Sequence, residues 1–174
     1  AGAEIFQYDY LNDDVTDFGE IDYSITDKVP MALRQAIADA KEGKEGTKPI
    51  LVLINPPYAE SGSGIGKGQE NKVGVEKTRI NIAMREMNLG YASKELFVQF
   101  LIRIRQELPS AIVAIFSTLK YVNAPNFELF RHTWQAEYLD GFIVHSRAFE
   151  LKAEFPIGFL IWDQNISQTV GDIT

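Results

Sequence analysis

The sequence predicts an α/β domain whose sheet is mostly parallel and ends in an antiparallel hairpin. Two unbroken apolar runs, ILVLIN at 50–55 and AIVAIFS at 111–117, read as strands buried on both faces, as parallel strands are. A helical pattern over 93–108 separates them. Two more runs, GFIVHS at 141–146 and PIGFLIWD at 156–163, stand nine residues apart, close enough to pair as a hairpin.

Taken in order, EIFQY at 4–8 reads as a short strand ending at Asp9, and the acidic stretch 12–27 as a loop without a clean period. Pro30 opens a helix that Gly43 stops, with Ala32, Leu33, Ala36, Ile37 and Ala40 on one face. The segment 59–92 is a long, glycine- and charge-rich loop or insertion, with a helix expected within 76–88. In the 93–108 helix, Ser93 is the expected N-cap, Leu96, Phe97, Phe100, Leu101 and Ile104 form the buried stripe, and Pro109 ends it. A short helix is expected at 124–134. No repeat or boundary divides the chain, so 1–174 reads as one domain.

Composition narrows the function. The chain has 174 residues, 45% hydrophobic and 24% charged, enough for one core. No apolar run has the roughly 18 residues of a membrane span. With no cysteine, thiolate catalysis and cysteine-ligated metals are excluded, and with two histidines a histidine-rich metal site is not expected. A cytoplasmic location fits, with no secretory signal at the start. Net charge is -7, but residues 1–45 hold eleven acidic and four basic side chains and the remainder thirteen of each. The acidity therefore sits at one end and leaves the rest open to a nucleic-acid partner.

Asn55-Pro56-Pro57-Tyr58 follows the first buried run, at the strand end where open α/β sheets bind ligands. The two prolines fix the backbone and remove two N–H donors, so nearby carbonyls are available to an outside donor. Asn55 adds a side-chain carbonyl and Tyr58 a flat π-face. The set suits a planar group bearing an NH₂, with both amino protons accepted and the ring stacked.

A strand followed by Asn-Pro-Pro-Tyr resembles the motif of S-adenosylmethionine-dependent amino methyltransferases. The surroundings resemble the N6-adenine DNA methyltransferases of restriction–modification systems. QYDYL, ELFVQFLIRI, AIVAIFSTLKYVN and GFIVHSRAFELKAEFPIGFLIWD are similar to further family elements, in family order over 4–163. The resemblance implies part of a Rossmann-like methyltransferase sheet and a site-specific, adenine-specific DNA methyltransferase. DNA with a flipped adenine would be its partner, alongside a specificity or nuclease domain or subunit. It implies that Asn55 and the Pro56 carbonyl accept the amino protons, making the nitrogen nucleophilic, and that Tyr58 stacks on the base. Pro57 would flank the substrate. Phe149 matches the second aromatic contact to the base, with Phe155 its competitor. Asp9, with Tyr10 beside it, would contact the cofactor adenine.

The family's glycine-rich cofactor loop and its ribose-holding acidic strand end are absent. The chain therefore reads as a catalytic half. Either EIFQY lies outside the main sheet or a strand edge stays unpaired, and exposed edges invite self-association. Other readings are methylation of a protein glutamine amide or of RNA, and a non-catalytic DNA-binding relic.

Several features read as structural. SGSGIGKG at 61–68 fails the P-loop spacing and reads as a mobile lid or linker. Lys67, Lys72, Lys77, Arg79 and Arg85 are candidates to hold DNA phosphates, but four glutamates share 59–88, so a solvated, flexible segment is at least an equal reading. Asp13, Asp14 and Asp17 lack the spacing of a calcium loop and read as solvated. His132, His145, Trp134 and Trp162 read as structural or packing residues.

Overall fold

The computed structural model describes residues 2–57, 78–149 and 155–165. In chain order it runs α1 (Met31–Lys41), β1 (Leu51–Ile54), α2 (Arg79–Glu86), α3 (Leu96–Glu107), β2 (Ile112–Thr118), α4 (Lys120–Asn123), α5 (Glu128–Thr133), β3 (Glu137–His145) and β4 (Pro156–Asp163). Helix and strand alternate up to β2, so the α/β class holds. The strands form one four-stranded sheet in the order β1-β2-β4-β3. β1 and β2 are parallel, pairing from Leu51–Ile112 to Ile54–Ile115. β4 is antiparallel to β2 and to β3. The hairpin is present, but the expectation of a mostly parallel sheet is corrected. The returning strand inserts between β2 and β3, so two of the three pairings are antiparallel.

Several boundaries follow from local chemistry. α1 ends where Gly43 takes φ +62°, a left-handed turn that favours glycine. The helix expected in 76–88 is α2, and Thr78 caps it by accepting from Asn81 N at 3.1 Å. The N-cap of α3 is Glu95, two residues after the expected Ser93, because a 3₁₀ turn over Gly90–Lys94 precedes the helix and the Ser93 hydroxyl turns back to Gly90 O at 2.8 Å. α5 is preceded by a 3₁₀ turn over Pro125–Phe127 rather than forming one continuous helix.

The core lies on one face of the sheet. Val113, Ile115, Leu160 and Trp162 point into it, against Phe97, Leu101 and Ile104 of α3 and the rings of Tyr121, Phe127, Phe130 and Trp134. Both tryptophans are fully buried packing residues, as expected. Their rings meet edge to face at 5.3 Å, and Trp162 Nε1 donates to the Tyr121 hydroxyl at 3.0 Å. Stripe residues Phe97, Leu101 and Ile104 are buried; Leu96 and Phe100 are half-buried.

The second sheet face is apolar and open among the described residues. Paired residues share a face, which groups Leu51 and Leu53 with Ile112, Phe116, Phe159 and Phe142. Leu51 is 65% exposed, Leu53 67% and Phe142 52%. The expectation that β1 is buried on both faces is therefore corrected: it is an edge strand, covered on alternate residues only. EIFQY forms no strand and lies outside the sheet. Pairing a strand needs a neighbour, and the only partner of β1 among the described residues is β2. We expect sedimentation to show association that grows with concentration, and Leu53→Lys to suppress it. A wild-type chain that stays monomeric at high concentration would count against association through this edge.

A polar network pins the N-terminal segment to α3. Gln99, Arg103 and Glu107 recur every four residues and are all buried. Arg103 Nη1 donates to Tyr10 O and, at 2.7 Å, to Asp13 O, while Nη2 donates to the Tyr8 hydroxyl at 2.6 Å. Glu107 accepts from the hydroxyls of Tyr10 at 2.6 Å and Tyr23 at 2.5 Å. Asp14, read from sequence as solvated, is fully buried. It accepts from the Tyr8 hydroxyl at 3.0 Å and from Thr26 N and Oγ1 at 2.8 and 2.9 Å.

Burial and the neighbouring carboxylates raise the pKa of Tyr8, Tyr10 and Tyr23, and burial raises that of Tyr121. Folded, these phenols hold their protons beyond pH 10.0; unfolded, they release them near it. Above that pH the unfolded chain binds fewer protons, so stability falls as pH rises. Alkaline titration followed by tyrosinate absorbance and circular dichroism should show late ionisation coinciding with unfolding. Ionisation of every tyrosine near pH 10.0 in a still-folded chain would contradict this.

Candidate active site

β1 carries Asn55-Pro56-Pro57 out of the sheet at its carboxyl end. The last β1–β2 pair is Ile54–Ile115, so Asn55 departs level with Phe116 and two residues short of Thr118. That offset is roughly 7 Å along the neighbouring strand. Asn55 and Pro57 are exposed and Pro56 is buried, so the ring between them anchors the exit. Tyr58 lies outside the described residues, as do Lys67, Lys72, Lys77 and the glycine-rich 61–68.

A pocket of about 580 Å³ opens at the end of β2, lined by Phe97, Thr118, Leu119, Ala124, Phe155 and Pro156 with Glu95, Lys120 and Asn123. β4 runs antiparallel to β2, which brings its first residues to this end, Ile157 opposite Thr118. Phe155 therefore lies on the pocket wall. Phe149 instead sits on the open sheet face, its ring edge to face with Phe116 at 5.3 Å. Asn55 is not among the described lining residues; it leaves the adjacent strand beside the pocket.

The pocket's charges are paired. Lys120 Nζ lies 2.8 Å from Glu95 Oε1, and Glu95 is only 4% exposed. Glu95, Thr118 and Lys120 were not singled out from sequence. No motif marks them, because they converge from a helix start and the end of a strand 23 residues later.

The two cofactor candidates are elsewhere. Tyr10 binds Glu107, the last residue of α3, whereas Glu95 immediately precedes its first. The intervening 12 residues put roughly 18 Å between them. The Tyr10 ring stacks on Phe100 at 5.7 Å and its hydroxyl is committed to Glu107, while the residue lines a separate cavity of about 470 Å³ beside β1. Asp9 is exposed and closes a local turn, accepting from Leu11 N at 3.2 Å and Asn12 Nδ2 at 2.9 Å. A carboxylate has about four lone-pair sites, so Asp9 keeps capacity for another donor. Of the two candidates, Tyr10 lines a cavity among the described residues and Asp9 lies outside that lining.

Arg79 does not serve a phosphate either. Its guanidinium donates to Val15 O at 2.5 Å and its N–H to Asn12 Oδ1 at 3.1 Å, tying α2 to the N-terminal loop. No helix among the described residues is long and apolar enough to cross a membrane. The chain matches no protein-family model and no curated protein.

Proposed function

We propose that this chain carries the amino-group site of an S-adenosylmethionine-dependent methyltransferase acting on N6 of adenine in DNA. The observation that carries the reading is Asn55-Pro56-Pro57 leaving a parallel strand beside a 580 Å³ pocket with an aromatic wall. The Asn55 side-chain carbonyl and the Pro56 carbonyl accept the two amino protons. This draws the nitrogen lone pair out of conjugation with the ring and readies it for in-line attack. The ring stacks between Tyr58 and an aromatic from the β3–β4 connection. The donor would supply an electrophilic methyl carbon. The resemblance's partial Rossmann-like sheet is consistent with the strand order and with the open β1 edge, where such a sheet would continue.

The test begins with calorimetry, to find a polypeptide containing these residues that binds S-adenosylmethionine. That polypeptide is offered an adenine-containing duplex and a glutamine peptide side by side, with labelled cofactor. Label should enter the DNA at adenine N6. Label in the peptide alone would move the assignment to amide methylation.

A second reading, a non-catalytic nucleic-acid-binding relic, is favoured by one observation: the Tyr10 hydroxyl is committed to Glu107 within the chain. It predicts DNA affinity indifferent to cofactor, and cofactor-enhanced binding would argue against it.

A further inference from the structure

β1 leaves a row of backbone groups unused. Ile112 N donates to Ile50 O at 3.0 Å, and the parallel register sets Leu51 opposite Ile112 and Leu53 opposite Ala114. In such a ladder the bonds run to the residues flanking each pairing position, so Ile50, Val52 and Ile54 face β2. The N–H and C=O of Leu51 and Leu53 therefore point away from the sheet, and neither has a hydrogen-bond partner among the described residues. Sheet edges are commonly guarded by a lysine, a proline or a bulge; Leu-Val-Leu-Ile carries none of them.

These groups open into the 470 Å³ cavity beside β1. Five consecutive residues, 50–54, line it, so it meets the strand along its edge and not on one face alone. Phe6, Val29, Leu33 and Ile37, with Phe100 and Ile104 of α3, make the rest of the lining largely apolar. The polar side chains there are committed: Glu107 accepts from the Tyr10 hydroxyl, and the Tyr8 hydroxyl donates to Asp14. The unspent polar atoms are those of the backbone. What matches alternating N–H and C=O groups between apolar walls is another extended chain. The walls from the N-terminal segment and α1 belong to residues 1–45, with eleven acidic and four basic side chains. A second copy would bring the same negative charge against them, whereas basic residues would be attracted.

We propose that this groove takes an apolar polypeptide strand with basic flanks, which pairs through its backbone with Leu51 and Leu53. The docking uses none of the groups at Asn55, so either assignment can fail alone.

The test titrates the 174-residue chain with the peptide Lys-Lys-Val-Ile-Val-Ile-Val-Lys-Lys, N-methylated at both isoleucines so that only one of its edges can pair. Binding should be saturable and should slow amide exchange at Leu51 and Leu53 about tenfold. A twin N-methylated at every apolar residue should bind at least about tenfold more weakly. A twin with glutamate for lysine should lose about tenfold at low salt. Leu53→Pro removes an outward N–H without breaking a β1–β2 bond and should weaken the peptide about tenfold. No saturable binding, equal binding of the fully methylated twin, or unchanged exchange at Leu51 and Leu53 would each overturn the proposal. Equal binding of the glutamate twin would overturn the basic flanks. Self-association that Leu53→Pro abolishes but excess peptide leaves intact would give the groove to a second copy instead. The peptide comparisons on the wild type stand even if Leu53→Pro fails to fold.

Discussion

Asn55→Ala should lower methyl transfer to adenine by about 10²–10³-fold while costing under about 0.5 kcal/mol of stability. The split follows from position. Asn55 is exposed and lies past the last paired residue of β1, so neither the core nor the sheet ladder depends on its side chain. Its carbonyl is asked to act only when the amino nitrogen attacks. That nitrogen gains positive charge in the transition state, and an acceptor already in place stabilises it more there than in the ground state. The loss should consequently fall on kcat more than on KM. Asn55→Asp keeps an acceptor and should retain more activity than Asn55→Ala. Rate measurements on the cofactor-binding polypeptide, with thermal melts of the same variants, read both quantities. Equal transfer by wild type and Asn55→Ala would remove the basis of the functional reading.

Arg103→Met should show the opposite profile, destabilising the fold by about 3–5 kcal/mol. Arg103 and Glu107 are 0% and 3% exposed, with Arg103 Nε 3.5 Å from Glu107 Oε2. Removing the guanidinium leaves the Glu107 carboxylate buried with only two phenol donors. It also strips the donors from Tyr10 O and Asp13 O, the contacts that fold residues 8–14 against α3. Methionine fills much of the volume but offers no donor. Replacing both members, Arg103→Met with Glu107→Leu, should cost less than the sum of the single changes, because no charge is then stranded. Urea unfolding of the four proteins reads the cycle. A single-variant loss below about 1 kcal/mol would show that the network is not what holds the segment.

The sequence alone determined what local pattern can encode. The β-branched runs became β1, β2 and β4, the apolar stripe became α3, and Asn-Pro-Pro marked the exit from β1. Tertiary structure decided everything that depends on a distant neighbour. An apolar run states a preference for burial but not what covers it, so ILVLI gave no sign that β1 would be an edge with Leu51 and Leu53 in the open. EIFQY has strand-like composition but no strand beside it to supply hydrogen bonds. The returning strand chose its place between β2 and β3, which made two of three pairings antiparallel where a mostly parallel sheet was expected.

Polar residues were the least legible. Asp14 reads as one of several loop acids until Tyr8 and Thr26 fold over it, and Arg103 looks solvent-bound until a segment about 90 residues away supplies three oxygens. The four-residue recurrence of Gln99, Arg103 and Glu107 was the one signal available for that buried stripe. Burial and partnership are set by the whole chain at once, and for this protein they separate a recognisable motif from the pocket that stands beside it.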